Sequence, residues 1–142
     1  MQLTKHTDYA FRVLIYLISM EEERTTIRTI TQAFDISKSH VMKVVNELVN
    51  KGWISSTRGK NGGICLGVDP KTVSLKDVIL LMEKNLDPIN CSSPMCYING
   101  ACGLKSIVIS ANNEYLNHMG KYTLEDITSP KIRGLIATSR ES

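Results

Sequence analysis

Cys91, Cys96 and Cys102 lie within twelve residues of one another, in Cys-Ser-Ser-Pro-Met-Cys-Tyr-Ile-Asn-Gly-Ala-Cys, while Cys65 stands alone far upstream. Three thiols at this spacing, with Pro94 and Gly100 bending the chain between them, can converge on one point without a folded core around them. An odd number suits a metal or cluster with one non-cysteine ligand better than a set of disulfides. Iron in a cluster is usually held by four thiolates. Three would leave one iron with an oxygen, nitrogen or exchangeable ligand, a natural point of attack for nitric oxide or oxygen. Zinc with three cysteines and a histidine or carboxylate fits the same residues. So does a metal-free thiol–disulfide switch. Cys65 reads as a small buried hydrophobe.

A second constellation precedes the cysteines. Ser37 caps a helix from Lys38 to about Asn50 whose apolar side is Val41, Val44, Val45, Leu48 and Val49, and Gly52 ends it. Trp53–Ser56 and Ile64–Leu66 read as two short strands joined by Arg58-Gly59-Lys60-Asn61-Gly62-Gly63, a basic glycine-rich hairpin. A shorter helix with Ile27, Ile30 and Phe34 inward, capped by Thr26, comes before the turn Asp35-Ile36-Ser37. Helix, turn, helix and basic hairpin in that order predict a winged helix-turn-helix. A recognition helix meets DNA with its N-terminal residues, here Ser37, Lys38, Ser39, His40 and Lys43. In the wing, Arg58 and Lys60 supply charge, and Gly59, Asn61, Gly62 and Gly63 let backbone approach phosphate. The same fold used only for protein contacts is the plainer reading. A redox-sensitive site behind a DNA-binding head reads as a sensor.

Composition sets the bounds. The chain has 142 residues, 42% of them apolar, enough for one domain with a real core. Net charge is only +3, yet Ile36–Ile64 holds five basic residues (Lys38, Lys43, Lys51, Arg58, Lys60) against the single acid Glu47. Ala10–Met20 is apolar but too short to span a bilayer and is interrupted by Arg12. The expected compartment is therefore the reducing cytoplasm, where clustered cysteines favour metal or redox chemistry. Thr7 is a plausible cap for a first helix to about Met20, with Ala10, Val13, Leu14, Leu17 and Ile18 inward. Ser74 caps Leu75 to about Glu83. Leu104 to about His118 forms a long helix carrying Ile107, Val108, Ala111, Tyr115 and Leu116, which needs a partner and finds one in a homodimer.

The order Ser37-Lys38-Ser39-His40-Val41-Met42-Lys43-Val44-Val45, then Gly52 and Arg58-Gly59-Lys60-Asn61-Gly62-Gly63-Ile64-Cys65-Leu66-Gly67, resembles the Rrf-type winged-helix repressors over nearly the whole chain. Cys91-x4-Cys96-x5-Cys102 makes it most similar to their nitric-oxide-sensing NsrR branch. The cluster-biogenesis branch spaces its first two cysteines one residue wider. The resemblance implies an iron–sulfur cluster, [4Fe-4S] favoured over [2Fe-2S], on Cys91, Cys96 and Cys102. It also implies a fourth ligand from an acidic residue in the partner subunit's first helix, and the matching position is Asp8. As a plain helix-end charge, Asp8 would also be stabilising.

The expected fold is mainly α with a small β-hairpin wing, a winged helix-turn-helix head and a long dimerisation helix. The expected divisions are a DNA-binding domain at 1–84, a cysteine-rich loop at 85–103, a dimerisation helix and C-terminal segment at 104–128, and a loose tail at 129–142. The expected function is a cluster-dependent repressor that binds double-stranded operator DNA as a homodimer and releases it on nitric oxide. The alternative is an iron–sulfur-biogenesis or general redox-responsive regulator of the same fold. From a different class come a zinc-binding interaction module or a cluster-bearing redox enzyme without DNA binding. An enzyme is disfavoured because no nucleophile, base and orienting group stand at recognisable spacing, and His6, His40 and His118 are scattered along the chain.

Overall fold

The computed structural model describes residues 2–21 and 23–141. Helix α1 spans Lys5–Ser19 and begins one turn earlier than its sequence suggests. Thr4 and Thr7 both carry a capping hydroxyl, and Thr4 takes the role by accepting the Thr7 N–H at 3.3 Å. Thr7 itself is buried inside the helix. Ala10, Val13, Leu14 and Leu17 are fully enclosed and Ile18 nearly so, the expected apolar stripe. Burying each leucine contributes about 1.5–3 kcal/mol relative to exposure.

Around α1 stand α2 (Ile27–Phe34), α3 (Lys38–Lys51) and α4 (Leu75–Met82). Their caps are the ones the sequence signals: Thr26, Ser37 and Ser74, the last in a reciprocal capping box with Asp77. Asp35 and Gly52 close α2 and α3 in the left-handed conformation, at φ +53° and +87°. Strands β1 (Ile54–Thr57) and β2 (Gly63–Leu66) pair antiparallel, with Ile54 opposite Leu66. Cys65 lies opposite Ser55 and is half-exposed, not the buried hydrophobe expected. Thr25 adds a short third rung, exchanging backbone hydrogen bonds of 2.9 and 2.7 Å with Ile64. This rung explains Gly63: at φ +142°, any Cβ there would overlap the Thr25 carbonyl.

After the cysteine loop, α5 (Gly103–Met119) runs along the outside, packed on α4, and none of its residues is buried. The chain then returns to the head. Leu75 N–H donates to the Tyr122 carbonyl at 2.9 Å, Leu124 N–H donates to the Val73 carbonyl at 3.0 Å, and Leu124 is fully buried. Residues 130–141, read from sequence as a loose tail, form helix α6 (Pro130–Glu141) against α1 and α2. Ser129 Oγ accepts the Ile132 N–H at 3.2 Å, Pro130 occupies the first turn, and Ile136 is only 8% exposed. Arg140 pairs with Glu23 at 3.0 Å. The head is thus built from both ends of the chain, with α5 projecting between them.

Candidate nucleic-acid interface and thiol loop

The N-terminal turn of α3 and the tip of the hairpin present most of the residues singled out for DNA. Ser37, Lys38, Ser39 and Lys43 are exposed, as are Arg58, Gly59, Lys60 and Asn61; Gly62 and Gly63 are half-buried where the hairpin meets its base. Ser37 Oγ is already engaged as the cap, accepting the His40 N–H at 3.3 Å and lying 3.1 Å from Ser39 Oγ. The wing turn is held by Gly62 N–H donating to the Gly59 carbonyl at 3.0 Å, with Gly59 at φ +105°. Lys38, Lys43, Arg58 and Lys60 have no carboxylate partner among the described residues. Lys51 differs, with its ammonium 5.8 Å from the Trp53 ring centroid.

The cysteine loop is ordered by its own polar groups. Asn90 Oδ1 accepts the Ser92 and Ser93 N–H groups at 3.1 and 3.0 Å, while its Nδ2 donates to the Ser93 carbonyl at 2.7 Å. Cys96 N–H donates to the Cys91 carbonyl at 3.0 Å, closing the first half of the loop. Cys102 N–H donates to the Ile98 carbonyl at 3.1 Å, and Cys102 is the residue from which α5 starts. All three thiols are free; Cys96 is exposed and the other two are half-buried. Among the described residues no three His, Cys, Asp or Glu side chains are grouped closely enough to hold a metal ion. As a donor set, three free thiols on a self-ordered loop suit soft iron or zinc. The sulfurs must draw together to act on one centre.

Asp8 stands on the first turns of α1 and is held by Arg12. Nε donates to Oδ1 at 3.0 Å and Nη2 to Oδ2 at 3.1 Å, a two-pronged pair. The guanidinium also lies about 6.0 Å from the Tyr9 ring and 5.9 Å from that of Phe34, the last residue of α2. Both carboxylate oxygens therefore accept a hydrogen bond within the chain.

Residues 3–130 match the Rrf2 family, described as "Iron-dependent Transcriptional regulator". The chain belongs to this family. Among solved structures it is similar to CymR (YrzC), the global cysteine regulator of B. subtilis, at 23% identity and a TM-score of 0.73, covering 89% of this chain and 95% of that one. The oxidised form of Staphylococcus aureus CymR matches at 22% identity, TM-score 0.73, over 89% and 95%. IscR of T. potens matches at 16% identity, TM-score 0.70, over 89% and 85%. These likenesses support the mainly helical winged fold. They are to CymR and IscR rather than to the nitric-oxide-sensing branch. No helix among the described residues is long and apolar enough to cross a membrane.

In this Rrf2 chain two of the three scattered histidines are neighbours. His6 of α1 lies between two residues of α3: its Nε2 is 3.0 Å from Glu47 Oε1 and its Nδ1 is 3.4 Å from His40 Nε2. The His6 and His40 rings stack at 5.5 Å, and Tyr9 tilts against His40 at 4.8 Å. Partial burial first, then the charges of His6, Lys43 and Lys5, push the His40 pKa below its ordinary value. Sequence alone gave little sign of His6 and Glu47, because 34 and 41 residues separate His6 from its two partners. Asn90 had a visible signal: an Asn directly before Cys-Ser-Ser-Pro favours a turn of this kind.

Proposed function

We propose that this Rrf2 regulator is a homodimeric repressor that reads operator DNA with α3 and the wing, governed by an iron–sulfur cluster on Cys91, Cys96 and Cys102. [4Fe-4S] is favoured over [2Fe-2S], and nitric oxide is the proposed signal. The observation that carries the reading is the set of three free thiols on a loop that ends at the first turn of α5. When bound, the cluster supplies an iron that is not fully thiolate-ligated and can take up nitric oxide or oxygen. Asp8 of the other subunit is the proposed fourth ligand. Each Asp8 oxygen keeps a second lone pair beside the one that accepts from Arg12.

Dimerisation through α5 is supported by its uncovered apolar stripe. Leu104, Ile107 and Tyr115 are 54%, 66% and 38% exposed and fall on one side with Ala111. A dimer would place two α3 helices at a fixed separation, as a pseudo-palindromic operator requires. A coupling of about 1–3 kcal/mol between thiol loop and head is enough to change operator affinity several-fold or more.

A metal-free thiol switch is the second reading, favoured by the exposure of Cys96 and the spread of the three thiols. One experiment separates the two. Protein purified without oxygen is assayed for iron, sulfide and visible absorbance, then for duplex binding before and after nitric oxide. The proposal expects coloured protein that loses specific binding on nitric oxide. Colourless protein whose binding responds to peroxide, and recovers with a thiol reductant, would replace it with the thiol switch. Stoichiometric zinc would overturn the cofactor.

A further inference from the structure

We propose that His6 and Glu47 are positioning residues for DNA reading, holding His40 in one tautomer and one orientation at the reading end of α3. The inference rests on α3 being the recognition helix and deepens that reading. His40 and Glu47 are seven residues apart on α3, so they share a face two turns apart, and His6 of α1 bridges them. A carboxylate only accepts, so Glu47 requires the proton of His6 to sit on Nε2. A His6 ring that carries its proton on Nε2 alone offers a lone pair at Nδ1, 3.4 Å from His40 Nε2, and His40 then donates to it from Nε2. In the neutral His40 ring this leaves Nδ1 as the acceptor. The tautomer of His40 is thereby set two residues away, as the orienting partners of functional histidines commonly set theirs.

The geometry also says what this chain of contacts does not do. The Glu47 side chain is 38% exposed, and solvent screening there weakens what its pairing with His6 adds to stability. The His6–His40 separation of 3.4 Å is long for a strong hydrogen bond. Tyr9, tilted against the His40 ring at 4.8 Å, restricts it further. Lys43, Glu83 and Lys84 line the same recess and Lys5 acts on His40 only through its charge; none of them replaces the His6 contact.

The test uses the full-length protein and a duplex enriched by the wild type from a pool of random sequence, with a scrambled duplex as reference. His6→Phe keeps a ring of similar size without the nitrogen, and Glu47→Ala removes the acceptor that sets its tautomer. Nitrogen chemical shifts of the His40 ring at neutral pH report its tautomer, and thermal unfolding reports the fold. Expected are a shift of His40 from one tautomer to a mixture, a nearly unchanged melting temperature, and discrimination between duplexes reduced by about threefold to tenfold. His6→Gln, whose side-chain oxygen can accept from His40, should recover part of that loss. Wild-type discrimination retained by both His6→Phe and Glu47→Ala, with the His40 signals unchanged, would overturn the inference and leave the docking of α3 intact. A wild-type protein that enriches no duplex would remove the recognition-helix reading itself, and this inference with it.

Discussion

Replacing Lys43 or Arg58 by Ala should flatten the salt dependence of operator binding by a calculable amount. Lys38, Lys43, Arg58 and Lys60 are exposed and have no carboxylate partner among the described residues, so their charge is free to meet phosphates. Four such cations per subunit give about eight phosphate contacts per dimer, and a slope of log affinity against log salt near −7. Raising salt from about 50 to 200 mM would then cost about 10⁴ in affinity. Lys43→Ala or Arg58→Ala removes one contact from each subunit. The slope should fall in magnitude by about 2, and the same salt step should cost about tenfold less. Lys51 is the internal control, because its ammonium lies against Trp53 at the far end of α3. Lys51→Ala should leave the slope where it was. Fluorescence anisotropy over a potassium chloride series, with an enriched duplex, measures all four proteins. Equal slopes in wild type, Lys43→Ala and Arg58→Ala would refute the docking geometry, as would a Lys51→Ala slope as flat as theirs.

Asp8→Ala should retain most of its iron and sulfide, held by three cysteines, yet bind operator about fivefold or more weakly, as a coupling of about 1 kcal/mol or more requires. Normal affinity and a normal nitric oxide response would reduce Asp8 to a helix-end charge. Ile107→Glu places a carboxylate in the exposed stripe of α5 and should turn a dimer into a monomer in sedimentation; an unchanged dimer would move the interface elsewhere. Ile136→Ala should cost about 2–4 kcal/mol in denaturant unfolding, because α6 buries this side chain, whereas a loose tail would show no loss. In a double-mutant cycle, Arg12→Ala and His40→Ala should be non-additive for operator affinity by about 0.5 kcal/mol or more if they act on one network. Strict additivity would separate them.

Local signals in the sequence were enough for the head. Thr26, Ser37 and Ser74 are capping residues directly before apolar periodicity, and Gly52 stands where α3 must reverse, so periodicity and caps agree on the same boundaries. The start of α1 was ambiguous because Thr4 and Thr7 are both good caps, and only the burial of Thr7 decides between them. α6 carried a legible beginning in Ser129-Pro130 and an i, i+4 pair in Ile132 and Ile136. Gly134 and a polar remainder weakened that pattern, and packing on α1 and α2 supplies what propensity does not. The exposed stripe of α5 was readable as a helix in need of a cover. Contacts between distant segments were not readable: His6 with His40 and Glu47 arises from how α1 packs on α3, and Thr25 with Ile64 from a backbone bridge onto β2, and no short-range pattern encodes either.

These long-range contacts make α1 the element shared by the proposed sensor ligand and the proposed reader. From Thr7 to Leu17 its inner stripe is enclosed by α3, α4 and α6, so displacing the whole helix would disturb close packing on several sides. Its outer side chains are under no such constraint. Arg12 grips Asp8 and lies over both Tyr9 and Phe34; Tyr9 in turn rests on His40, and Phe34 ends the helix whose turn leads into α3. A change at the Asp8 carboxylate can therefore reach both the first turn of α3 and the turn before it by rearranging a few half-buried side chains, without repacking the core. The difference in free energy between two such arrangements need be only about 1–3 kcal/mol to alter operator affinity. Spatial adjacency is not coupling, and the Arg12–His40 cycle is the measurement that distinguishes them.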